Sequence, residues 1–289
     1  MGKFRLRGRR RRAREVRADQ IPLRAIVPNL VTSLAACAGI TSISLSSEGR
    51  FKEAIWALLI ACICDGMDGR IARLLKASSK LGAELDSLAD FVNFGVAPAM
   101  FLYFWYTGGP AHMMEGAAVS PLVTRMVLGC ALFYAMCDCF RLARFNTMLE
   151  QEPLPYWKHF FTGVPAPGGC WMVLTPALLT ISLEDDKLAA VQGVMRNPYF
   201  GMATLLFVGM LMASRLPTIS LKALRVSKRA LPGVVAMLLL LIGALFAYRW
   251  LVVGVLGLAY VLTVPVTYVV FAKLRAKYDR GLTSNADKS

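Results

Sequence analysis

The apolar positions of this chain gather into long blocks separated by short polar stretches. Eight blocks stand out, at approximately 26–46, 51–74, 84–107, 120–146, 163–182, 198–215, 231–248 and 251–271. A helix needs roughly 20 apolar residues to cross a bilayer core, and these blocks approach or meet that length. The pattern predicts an all-α fold, a polytopic membrane bundle of about eight transmembrane helices. Pro28, Pro98, Pro165 and Pro265 lie within or beside the blocks. Membrane helices tolerate proline because neighbouring groups take up the freed carbonyls. The expected organisation is an arm at 1–24, a six-span unit at 25–215, two further spans at 216–272 and a polar tail at 273–289 that is disordered after Tyr278. The last two spans carry little polar detail and read as packing or anchoring elements.

Composition fits this picture, with 56% hydrophobic residues and a mean hydropathy of +0.53. Charge adds an orientation. Residues 1–24 contain ten Lys or Arg against Glu15 and Asp19, within a formal net charge of +15. Beside a spanning helix, such an arm either binds anionic lipid headgroups or only fixes topology; nucleic acid is not the expected partner. One set of connections is basic, with Lys76, Lys80, Lys158, Arg215, Lys222, Arg225, Lys228 and Arg229, and both termini belong to it. The alternate set holds Glu48 and Arg50, then Glu115, then Glu184, Asp185, Asp186, Lys187 and Arg196, then Arg249. The positive-inside rule therefore places both termini in the cytoplasm, which agrees with an even number of spans. No cleavable signal peptide or myristoylation signal is expected at the N-terminus. The seven cysteines lie in or near apolar segments and read as buried hydrophobes, including the pairs Cys62/Cys64 and Cys137/Cys139.

The chemistry concentrates in two neighbouring segments. Asp65 and Asp68 are three apart, Asp86 and Asp90 four apart, so each pair shares a helix face. A short turn makes the two helices neighbours, and both pairs lie at the cytoplasmic membrane surface. Four converging carboxylates repel one another and lose hydration, whereas divalent cations keep them ionised. An all-oxygen set favours Mg²⁺ or Mn²⁺ over zinc, and two ions could bridge it and clamp a phosphate. Gly66, Gly69 and Gly82 leave room for a substrate to approach the backbone, and Arg73 offers a cation for a phosphate oxygen. Aspartates that only cap helices would not need this paired spacing.

Asp65, Asp68, Gly69, Ala72, Arg73, Gly82, Asp86 and Asp90 form the spacing Asp-x2-Asp-Gly-x2-Ala-Arg-x8-Gly-x3-Asp-x3-Asp. It resembles the signature of the CDP-alcohol phosphatidyltransferase family at every fixed position. The resemblance implies transfer of a phosphatidyl-type group from a CDP-linked lipid to an alcohol, with release of CMP. It also implies that Asp65, Asp68 and Asp86 bind metal, that Asp90 joins the site as general base, and that Ala72, Arg73 and Gly82 belong to the CDP pocket. A homodimer is implied as well.

Further segments point to a branch. Pro28-Asn29-Leu30-Val31-Thr32, the stretch from Asp90 to Ala99, Arg141-Leu142-Ala143-Arg144-Phe145-Asn146 and Phe160 to Pro165 all fall at the aspartates' membrane face. Together they resemble the membrane-integrated, serine-accepting branch of that family in bacteria, whose members take CDP-diacylglycerol and L-serine in the inner membrane. Arg141 and Arg144 share a helix face and could take the acceptor's carboxylate, or could anchor the helix end to lipid phosphates. Asn29 and Thr32 could bind the nucleotide or cap the first helix. Glycerol 3-phosphate or inositol phosphate as acceptor would ask for more cations, and a divalent metal transporter would spread its acids through the membrane depth. The two histidines, His112 and His159, do not form a His-x-Lys motif, so the phospholipase D-type route is excluded.

Overall fold

The computed structural model of the chain describes residues 23–77, 79–108, 119–148, 160–182, 189–219 and 231–286. The arm up to residue 22 and the loop charges at Glu115, Lys158, 184–187 and 222–229 lie outside the described residues.

Each apolar block becomes a helix. Helix α1 is Leu23–Ser47 and α2 is Phe51–Leu74, joined by a turn in which Gly49 takes φ 78°. Ser79 then caps α3, Lys80–Asp90, by accepting the Gly82 N–H at 3.0 Å. That cap starts the third rod earlier than its apolar pattern, which begins near 84. The rod continues through a π-helical turn at Phe91–Val96 into α4, Ala97–Thr107. Next come α5 (Pro121–Met148), strand β1 (Phe160–Thr162), α6 (Ala166–Ser182), α7 (Ala189–Met195) and α8 (Pro198–Ala213). Strand β2 (Pro217–Ile219), α9 (Leu231–Ala247) and α10 (Arg249–Ala286) complete the described fold.

Among the described residues, four helical segments are long and apolar enough to cross a membrane: Ile26–Ser47, Lys80–Thr107, Pro121–Thr147 and Arg249–Lys273. Helices α6 and α8 are apolar but shorter. Helix α2 has the length but carries Lys52 and Glu53 at one end and Asp65, Asp68, Arg70 and Arg73 toward the other.

Two features depart from the expected pattern. A small antiparallel ribbon pairs Phe160 with Ile219, Phe161 with Thr218 and Thr162 with Pro217. Three-residue strands so far apart in sequence leave no readable period. Helix α10 also runs on to Ala286, so most of the segment read as a disordered tail is helical. No proline follows Pro265, and Ala, Lys, Leu and Arg of 272–277 are good helix formers.

Lipid tails are as apolar as leucine, so close packing rather than water exclusion holds such helices together. The buried centre is built by Phe94, Phe101, Tyr134, Leu174, Leu178, Leu205 and Met212. At the end away from the aspartates, Phe51 meets Phe101 and Trp105 edge-on at 5.4 and 4.9 Å. Pro98 has no N–H to offer the carbonyl four residues earlier. That carbonyl, on Phe94, instead accepts from the fully buried Tyr134 hydroxyl of α5 at 2.9 Å. The π turn is thereby tied to α5.

Small residues set the closest contacts. A Cβ at Gly201 in α8 would overlap the Tyr106 ring, whose hydroxyl donates to the Met195 carbonyl at 3.0 Å. Gly201→Val should therefore destabilise the fold by about 1–3 kcal/mol through overpacking. A melting temperature in detergent no lower than wild type would contradict this packing.

Candidate active site

The end of α2 and the start of the third rod converge as their spacing predicts. One carboxylate oxygen each from Asp65, Asp68 and Asp86 lies within 4.8 Å of the other two. Ion pairs join Arg50 to Glu48 and Glu53 in a distant turn, and none joins a described Lys or Arg to these three acids. No side-chain cation among the described residues therefore neutralises this group. A divalent cation fits it, being the compensation that three crowded carboxylates lack within the protein. Asp90 stands one turn along from Asp86 and interacts with Asp65 and Asp86. It lies beside the three-oxygen group rather than within it, and its Oδ1 is buried without a hydrogen-bond partner.

Helix α1 orients this cluster from behind. The Thr32 hydroxyl is buried and donates to Asp68 Oδ2 at 2.6 Å, while Asp68 Oδ1 accepts the Gly69 N–H at 2.5 Å. Both oxygens of the buried Asp68 are thus held. Asn29, Thr32, Gly69, Ala72 and Gly82 line one cleft whose wall also includes Asp68 and Asp86. A Cβ at Gly82 would come within 2.9 Å of Asn29 Oδ1, so glycine there lets α1 and α3 approach. Gly69 differs, since a Cβ there would meet no protein atom within 4 Å. Arg73 is not among the lining residues; it is exposed, its Nε donating to the Gly69 carbonyl at 3.0 Å.

The two arginines of α5 separate. Both terminal nitrogens of Arg144 are taken, donating to the Ala213 and Ser214 carbonyls at 2.9 Å each. Arg144 thus closes the C-terminal end of α8, where carbonyls lack partners and the helix dipole favours a cation. Arg141 donates its Nε to the Val164 carbonyl at 2.9 Å, and its terminal nitrogens bond no described residue. Its charge interacts with Asp90, Asp138 and Tyr260. Asn146 donates to Ser87 Oγ at 3.0 Å, drawing the end of α5 to α3 beside Asp86.

Two members of this neighbourhood escape a motif reading. Asp138 is the sole acid of the span 120–146 and is fully buried. An ionisable residue within a membrane span is a signal in its own right, and it was available in the sequence. Tyr260 comes from α10, and its ring lies over Gly168 of α6. Nothing in its local sequence marks it.

Fold and site together define a class: a membrane-embedded helical protein with a carboxylate cluster beside a cleft, arranged for chemistry on a phosphate ester. The family model for CDP-alcohol phosphatidyltransferase matches residues 25–208. The chain belongs to that family. It is 36% identical over 83% of its length to a CDP-diacylglycerol–serine O-phosphatidyltransferase of Mycobacterium leprae, covering 73% of that protein. A protein of the same name from Helicobacter pylori is 36% identical over 66% of this chain and 70% of its own. Another, from Bacillus subtilis, is 34% identical over 54% of this chain and 80% of its own.

Because a side chain at position 69 would enter the cleft without touching protein, Gly69→Ala separates ligand approach from folding. The variant should melt no lower than wild type, since alanine favours a helix over glycine by roughly 0.5–1 kcal/mol. Its KM for a CDP-linked lipid should rise about tenfold or more, as one obstructed contact of about 1.4 kcal/mol implies. Unchanged lipid kinetics would show that the cleft is not where the nucleotide sits.

Proposed function

We propose that this chain transfers the phosphatidyl group of CDP-diacylglycerol to the hydroxyl of L-serine, yielding phosphatidylserine and CMP. The observation that carries the reading is the shared wall: Asp68 and Asp86 belong both to the carboxylate cluster and to the cleft. A nucleotide in that cleft puts its diphosphate beside the acids. The names of the relatives supply the acceptor.

In this reading Asn29, Thr32, Gly69, Ala72 and Gly82 seat the cytidine end, and Arg73 meets a phosphate oxygen from the cleft's rim. Asp65, Asp68, Asp86 and Asp90 would hold two divalent ions, Mg²⁺ or Mn²⁺, which would supply positive charge to the diphosphate and to the departing CMP. Thr32 keeps Asp68 in one orientation. Asp90 takes the proton of the serine hydroxyl as that oxygen attacks the phosphatidyl phosphorus and the bond to CMP breaks. Arg141, whose terminal nitrogens remain available, meets the serine carboxylate. Arg144 supports the pocket from behind by fixing the end of α8.

The setting follows from the same reading. Eight spans with both termini in the cytoplasm put the site at the inner leaflet of a bacterial cytoplasmic membrane. There the acyl chains stay in lipid while the nucleotide stays in water. The basic arm binds anionic headgroups, the six-span unit at 25–215 carries catalysis, and the protein acts as a homodimer.

Purified protein given CDP-diacylglycerol should release CMP with L-serine, and not with glycerol 3-phosphate or inositol phosphate. Serine failing as acceptor would reject the assignment. A chelator should abolish turnover and Mg²⁺ or Mn²⁺ restore it. Asp90→Asn should lower kcat by about 10²–10⁴-fold, the usual worth of a general base. For topology, a reporter in the 220–230 loop should be cytoplasmic and one in the 183–188 loop should lie on the opposite side. The reverse pattern would overturn the orientation.

A further inference from the structure

Asp138 sits in the middle of the bundle with 0% exposure, and neither of its carboxylate oxygens has a hydrogen-bond partner among the described residues. A carboxylate withdrawn from water costs several kcal/mol unless a cation meets it. Arg141, one turn along the same helix face, makes no ion pair with it and spends its Nε on the Val164 carbonyl. Asp138 stands against the π turn, its Oδ2 2.8 Å from where a Cβ of Gly95 would be. Gly95 follows Asp90 by five residues, about one π-helical turn, so the carboxylate lies beneath the proposed base and interacts with it. Another buried group, the Asn93 amide on the same π turn, has no hydrogen-bond partner among the described residues, and the half-buried Tyr260 of α10 brings its hydroxyl beside Thr218. Arg141 interacts with Asp90, Asp138 and Tyr260 alike.

These groups present a guanidinium and a buried carboxyl group on one helix face, next to the proposed base. That is the complement of a small zwitterion. We propose that Asp138 receives the ammonium group of an amino-acid acceptor while Arg141 receives its carboxylate, with Tyr260 closing the pocket from α10. The inference rests on the reading of this chain as a phosphatidyl transferase to serine, and it names the residue that discriminates among acceptors. An acceptor bearing a phosphate in place of an ammonium group would face the Asp138 charge, an element of rejection as well as attraction.

The test compares two acceptors within one protein preparation: L-serine and 3-hydroxypropionate, which is serine without its ammonium group. The ratio of their kcat/KM values does not depend on how much of a variant folds. Wild type should favour serine, and Asp138→Asn should shrink that preference by about 30-fold or more, the usual scale for truncating one partner of a buried charge pair. The KM for CDP-diacylglycerol should stay within twofold of wild type. An unchanged ratio with product still formed overturns the pocket alone and leaves the phosphatidyl transfer standing. Loss of turnover with both acceptors also overturns it, because Asp138 would then support the fold rather than one end of the acceptor. No product from serine with wild type overturns the transfer reading, and the pocket with it.

Discussion

Mutual repulsion among Asp65, Asp68 and Asp86 is the constraint around which the rest of the structure is arranged. Three carboxylate oxygens within 4.8 Å of one another persist only where something holds the side chains in place and something positive compensates them. The protein meets the first need from α1, from the backbone of α2 itself and from the cap of α3. Thr32 of α1 holds one oxygen of Asp68 and the Gly69 amide holds the other. Ser79 starts α3 early enough to bring Asp86 beside α2. The second need is met by no lysine or arginine among the described residues, which is why the cluster suits a divalent ion and a phosphate ester together.

Fixing the acids at one end demands a rigid rod behind them, and the third rod is not a plain α-helix. Pro98 leaves the Phe94 carbonyl without its usual donor, and the Tyr134 hydroxyl takes that carbonyl from across the bundle. The π turn so defined lies directly after Asp90 and turns Gly95 toward Asp138. A proline 8 residues beyond the last motif aspartate therefore helps to aim it. Contacts through Gly39, Gly95 and Gly201 do the packing that apolar side chains cannot do in lipid, because they let partner side chains approach the backbone.

Helix α10 changes the meaning of the last span. By composition it is an anchor, and it lies beyond the 25–208 region matched by the family model. In the fold it packs along α6, and Tyr260 reaches the surroundings of Arg141. The β1–β2 ribbon works in the same area: Thr218 donates to the Gly163 carbonyl at 2.8 Å while Arg144 closes α8. The side of the site facing Arg141 is thus assembled from α5, α8, α10 and the ribbon, whereas the cleft needs only α1, α2, α3 and the turn between the last two.

That division also separates what could be read in advance from what could not. The helices were legible because a membrane span must satisfy its backbone internally over a set length, so the apolar blocks map onto helices nearly one to one. The aspartate cluster was legible because spacings of three and four on adjacent helices leave few places for those side chains to go. The π turn, the ribbon, the engagement of Arg144 by two carbonyls and the position of Tyr260 were not, since each depends on partners between 40 and more than 100 residues distant. Periodicity along a chain fixes which face a residue occupies, and only the packing of helix on helix decides what that face meets.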